Sequence, residues 1–141
     1  MRVCVIDGRG GGLGRRLVAG LQAQLGGTHQ IIGLGTNSAA AMAMKAAGAA
    51  HVGTGARAIV ETVPAMDVIV LSLNLVLSST TVGEMPPAAV RAIVGARAKK
   101  VLLPVNRAQI EVVGTEEYKL EHLIVRSIHR VQLLLSENSI S

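Results

Sequence analysis

The residues best suited to chemistry gather at the start of the chain. A strand-length apolar run, Arg2-Val3-Cys4-Val5-Ile6-Asp7, breaks into Gly8-Arg9-Gly10-Gly11-Gly12-Leu13-Gly14, and a helical pattern follows. Five of those seven loop residues are glycine, so the backbone can take positive φ and a ligand can reach its N–H groups without meeting a Cβ. A helix starting there aims its dipole and its unpaired N–H groups into the same space, which favours a phosphate or another anion. Read strictly, G-x-G-x-x-G fails, because its third glycine would fall on Leu13. Two related spacings fit: G-x-x-x-G-x-G through Gly8, Gly12 and Gly14, and G-x-x-G-x-x-G through Gly8, Gly11 and Gly14. The competing reading is a tight strand-to-helix turn whose glycines serve packing alone. Asp7 bears on the choice, since a carboxylate beside a pyrophosphate is repulsive unless it caps loop N–H groups, holds a ribose hydroxyl or binds a cation.

Other candidates follow from where a parallel α/β sheet binds ligands, at the carboxyl ends of its strands. That rule nominates loops beginning near Gly8, Gly35, Gly53, Asn74 and Asn106. NAD-binding folds place an acidic residue about 20 positions after the loop to hold the ribose diol. Here Asn37 stands 23 positions after Gly14, and no carboxylate follows until Glu61. Thr36, Asn37 and Ser38 are able to donate to a ribose hydroxyl or a 2′-phosphate, which favours NADP over NAD as cofactor; equally, they are good helix caps. Arg9, Arg15 and Arg16 are candidate phosphate partners. No catalytic set emerges: G-x-S-x-G, Walker A spacing and H-E-x-x-H are all missing from the sequence. His122 and His129 are seven residues apart on one helical pattern with Arg126 between them, as on a solvated face. Asp7, Glu84 and Glu111 are the carboxylates near loop ends.

The elements that must position these residues alternate strand and helix, the pattern of an open, mostly parallel α/β sheet with helices on both faces. Leu13, Leu17, Leu21 and Leu25 recur every four residues until Gly26-Gly27. A second strand spans Gln30 to Leu34, an alanine-rich helix runs from about Ala39 to Ala47, and a short third strand lies near Ala50-His51-Val52. Gly53-Thr54-Gly55 then leads a helix that Pro64 stops, and Asp67 to Leu73 is a continuous Val/Ile/Leu-rich run suited to a strand buried on both faces. Asn74 to Val82 has no clear period. Pro86-Pro87 opens a helix to about Ala98, Lys100 to Val105 is a fifth strand, Gln109 to Val113 a candidate sixth, and Tyr118 to Leu135 an amphipathic terminal helix. Residues 136–141 are polar and expected to fray. The whole chain, 1–141, reads as one Rossmann-like domain.

Composition narrows the partners. The chain has 141 residues, long enough for one core and too short for a nucleotide-binding domain plus a catalytic one. Half of it is hydrophobic, with one Tyr and no Trp or Phe, so the core is aliphatic and stacking platforms for single-stranded nucleic acid are missing. The net charge of +5 is dispersed, with no run of five basic residues, which argues against nucleic acid. The lone Cys4 excludes an internal disulfide and a thiolate zinc cluster. No signal peptide or membrane-length apolar run is visible, so the expectation is a cytoplasmic protein off the membrane. A mean hydropathy of +0.47 implies more aliphatic surface than one core absorbs, hence a homodimer or higher homo-oligomer through Leu75-Val76-Leu77 or Val131 to Leu135.

Several segments together resemble a known family. Val5-Ile6-Asp7-Gly8 with the glycine run, Gly33-Leu34-Gly35-Thr36-Asn37, Gly53-Thr54-Gly55, Val82-Gly83-Glu84-Met85 and Leu103-Pro104-Val105-Asn106 with Glu111-Val112-Val113-Gly114 look like a family of small Rossmann-like bacterial proteins carried as a domain of unknown function. The resemblance covers nearly the whole chain and implies a one-domain Rossmann-like protein, with no activity attached. The chain departs from that family's pattern at Ser72-Leu73-Asn74-Leu75, where glycine and proline are expected. A narrower resemblance, to short-chain dehydrogenases, covers only the first strand, loop and helix. Those enzymes pair a tyrosine with a lysine four residues on, and Tyr118, followed by Lys119 and His122, does not supply that pair. The leading reading is a module for a small anionic nucleotide or dinucleotide, with Gly8 to Gly14 over the phosphates, Thr36 to Ser38 at the ribose and Asn74 on the far wall. The alternatives are a small NAD(P)-linked or other enzyme whose site a partner chain completes, and a structural or interaction protein.

Overall fold

Alternation of short Val/Ile/Leu-rich runs with amphipathic stretches is realised as five strands and six helices among the described residues. The computed structural model describes residues 1–77, 85–105 and 110–140. In chain order these form β1 (Arg2–Asp7), α1 (Gly12–Leu25), β2 (Gln30–Gly35), α2 (Ser38–Ala46), β3 (His51–Thr54), α3 (Gly55–Thr62), a 3₁₀ turn at Val63–Ala65, β4 (Val68–Ser72), α4 (Leu73–Leu77), α5 (Pro87–Gly95), β5 (Lys99–Leu103) and α6 (Leu120–Ile140). The strand order is β3-β2-β1-β4-β5 and every pairing is parallel.

That order has a physical origin. Right-handed crossovers through α1 and α2 build the sheet outward from β1 in one direction; the chain then returns across β1 to lay β4 on its other side. Helices α1 and α2 therefore cover one face and α3 and α5 the other, while α6, after the last strand, comes back to the face of α1 and α2. On one face Val3, Val5, Ile31, Val68, Val70 and Leu103 pack with Leu17, Leu21 and Met44, and with Val131, Leu134 and Leu135 of α6. On the other, Cys4, Ile6, Leu34, Ile69 and Leu71 pack with Ile59 of α3 and with Ala89 and Ile93 of α5. Each fully buried Leu or Ile contributes on the order of 1.5–3 kcal/mol. Both faces of β1 and β4 are covered, which accounts for their unbroken apolar sequences.

The structure moves several sequence boundaries. Gly53 and Thr54 belong to β3, paired with Leu34 and Gly35, so in place of the loop expected at Gly53 the strand runs directly into α3 at Gly55. The apolar run through Leu73 is not all strand: β4 ends at Ser72 and α4 begins at once. Helix α6 continues to Ile140, past the end expected near Leu135. No sixth strand is present among the described residues, where Ile110 makes only an isolated bridge; Gln109 lies outside them. The helix opening on Pro86-Pro87 is found, with Pro86 as N-cap.

Candidate functional site

The point where strand order reverses lies between β1 and β4, and the glycine loop leaves the sheet there from the end of β1. Strand alternation puts Val3, Val5 and Asp7 on the α1 face. The Asp7 carboxylate consequently reaches the helix mouth, accepting the Gly8 N–H at 2.8 Å and the Gly14 N–H at 2.6 Å. The N-cap of α1 is Gly11, which has no side chain to cap with; Asp7 performs that task from the preceding strand. The loop closes through the Gly11 N–H on the Gly8 carbonyl at 3.0 Å, and Arg15 N–H returns to the Gly11 carbonyl at 2.9 Å. Of the first four N–H groups of the helix, that of Gly11 goes to the Gly8 carbonyl and that of Gly14 to Asp7; those of Gly12 and Leu13 come in the first turn, before intrahelical acceptors exist.

The loop glycines divide into two kinds. Gly11 has φ +75°, and a Cβ there would stand 3.0 Å from the Ala40 backbone and the Ala43 side chain; one on Gly14 would stand 2.7 Å from Asp7 Cβ and 2.9 Å from Met44 Sδ. These two let α1, α2 and β1 close on one another. Among the described residues, a Cβ on Gly10 or Gly12 would meet nothing within 4 Å, and neither has positive φ. The fold does not require glycine at those two positions, and the space before them is open. Arg9, exposed beside them, is a non-glycine residue at φ +51°.

The end of β2 joins this group. Thr36 donates its N–H to the Asp7 carbonyl at 2.9 Å, and its Oγ1 is buried without a hydrogen-bond partner. Asn37 caps α2, its Oδ1 accepting the Ala40 N–H at 2.9 Å, and Ser38 is the exposed first residue of that helix. The structure thus brings Asp7, the glycine loop, Thr36, Asn37 and Ser38 together at the ends of β1 and β2. Asn74 stands on the β4 side. Its Nδ2 donates to the Val105 carbonyl at 2.6 Å and its N–H to Ser72 Oγ at 3.1 Å, so it ties the end of β4 to the segment after β5. Glu84, Asn106 and the hydroxyl run after Leu77 lie outside the described residues, and Glu111 is exposed.

The remaining chemistry-bearing residues stay apart from the loop. Burial pushes the Cys4 thiol far above its ordinary range, so it persists as a protonated core group. His122 and His129 are exposed on α6, His51 is exposed on edge strand β3, and His29 directly precedes β2 at the N-terminal ends of the strands, away from the loop. No group of three or more His, Cys, Asp or Glu residues able to hold a metal occurs among the described residues. No helix among them is long and apolar enough to cross a membrane. Sequence reasoning offered capping as one role for Asp7; it missed the division among the glycines, because the fit of Gly11 and Gly14 depends on Ala40, Ala43 and Met44 of α2, some 30 positions away, and it missed the buried Thr36 hydroxyl, because burial of one side-chain atom has no local sequence signal.

A parallel β3-β2-β1-β4-β5 sheet with a glycine turn and a helix N-terminus at its reversal point defines a Rossmann-like α/β protein. Within that class, the model described as Domain of unknown function (DUF3842) matches residues 2–136, and the chain belongs to that family. In structure the chain is similar to the one described as a dodecameric FMN-dependent Ubix-like decarboxylase from Escherichia coli O157:H7, with TM-score 0.54 and 12% identity over 99% of this chain and 94% of that one. At that identity the likeness is one of fold. No curated protein matches the sequence. The likeness to short-chain dehydrogenases draws no support from either comparison, and neither does a nicotinamide cofactor.

Proposed function

We propose that the glycine loop holds the phosphate end of a flavin-mononucleotide-like ligand, a single phosphomonoester rather than the pyrophosphate of a dinucleotide. The observation that carries this reading is the Asp7 carboxylate on Gly8 and Gly14 N–H. The inner donors of the loop are already used by a negative charge, and we assign one external anion to the first-turn N–H groups of Gly12 and Leu13, beside the space that the described residues leave open at Gly10 and Gly12. A second phosphate running inward would meet Asp7, and two unit charges about 4 Å apart near a protein surface repel by about 4 kcal/mol. The Asn37 side chain caps α2, which weakens the NADP reading that drew on it. The fold neighbour's description as FMN-dependent supports the flavin class.

A flavin held there would supply electron or hydride transfer. The chain's own part is to seat the phosphate: Gly12 and Leu13 N–H donate to it, the α1 dipole favours its charge, and Asp7 limits how much charge the site accepts. The reading stops at binding, because Asp7 is engaged as an acceptor for two backbone donors.

Thermal-shift and flavin-fluorescence titrations with FMN, NAD and NADP test it. A ligand that binds only the native state adds about 2.7 kcal/mol of apparent stability at a hundred times its Kd. FMN is expected to raise Tm, and the two dinucleotides are expected to do so much less. Gly12→Val fills open space without touching the fold, so it is expected to keep the parent's own Tm within a few degrees and lose the FMN response. FMN binding that survives Gly12→Val, or no response to FMN at all, sinks the proposal.

A further inference from the structure

We draw no further inference here: the strongest candidate, the open polar depression at the N-terminal edge of the sheet lined by Arg2, Thr28, His29, Gln30 and Asp67, carries nothing because no feature of the structure shows what fills it.

Discussion

Replacing Asp7 separates its structural task from its electrostatic one. Asp7→Ala removes both acceptor oxygens from the Gly8 and Gly14 N–H groups, and loss of a helix cap costs about 0.5–2 kcal/mol. Urea denaturation is expected to show that loss with an unchanged m-value; no change in midpoint would mean that water caps α1 equally well. Asp7→Asn keeps the shape and one acceptor oxygen while discarding the charge. It should destabilise less than alanine and bring NADP and FMN affinities closer together, and a preference left intact by Asp7→Asn would remove Asp7 as the cause. Cys4 gives an independent reading of the same molecule. Buried and held protonated, it is expected to react with a disulfide reagent at pH 8 only as fast as the chain opens, and full labelling within seconds of mixing native protein would contradict its burial. At this scale the sequence shows that glycines are dense but cannot rank them. Gly11 and Gly14 are required by Ala40, Met44 and Asp7, whereas a Cβ at Gly10 or Gly12 would meet none of the described residues, and that distinction exists only once α2 has docked.

Helices α1, α2 and α6 share one face of the sheet, and their contacts are set by positions where a side chain is missing. A Cβ on Gly33 of β2 would stand 2.8 Å from Met44 Cβ, and one on Gly20 of α1 would collide with Ile128 Cδ1 of α6. The collision at Gly20 is with the far end of one side chain, so it makes a testable pair. Gly20→Ala is expected to destabilise, and Ile128→Val, which deletes the Cδ1 methyl, is expected to recover part of that loss. Contacting residues couple by about 0.5–3 kcal/mol in a double-mutant cycle; strict additivity would mean α6 does not sit on Gly20. Gly14→Val is the harsher change, since its Cβ meets the Asp7 side chain and Met44 together, and overpacking of this kind costs about 1–3 kcal/mol. Most elements were legible because periodicity reports them directly: the four-residue leucine recurrence of α1 and the Pro86-Pro87 opening of α5 are local signals. Two were not. Gly53 has poor strand character, yet edge pairing to Leu34 and Gly35 fixes Gly53 and Thr54 in β3. The change from β4 to α4 at Leu73 falls inside a continuous apolar run, where no period marks the switch.

For the whole molecule the open question is assembly, and the structure redirects where to look. The aliphatic excess points to a homo-oligomer through Leu75 to Leu77 or Val131 to Leu135; of these, Leu75, Val131, Leu134 and Leu135 are 8%, 0%, 8% and 3% exposed and belong to the monomer's own cores, while Leu77 and Leu133 stay exposed. Introducing glutamate at Leu134 would bury a charge and test folding rather than association. Among the described residues of α6, the large apolar side chains left outside are Val125 at 65% and Leu133 at 42% exposure, two helical turns apart with exposed His129 between them. We expect self-association through this stripe, most simply as a two-fold pair, since closed symmetry buries such a surface without forming fibres. Light scattering at low micromolar concentration should give a multiple of the 14.6 kDa chain mass. The double substitution Val125→Glu with Leu133→Glu should return the monomer mass with Tm nearly unchanged, because neither side chain supports a core. A parent that already runs as a monomer rules out self-association, and an oligomer indifferent to both glutamates places the contact away from α6. Leu134→Glu completes the comparison as the variant expected to lose the folded state whatever the assembly does.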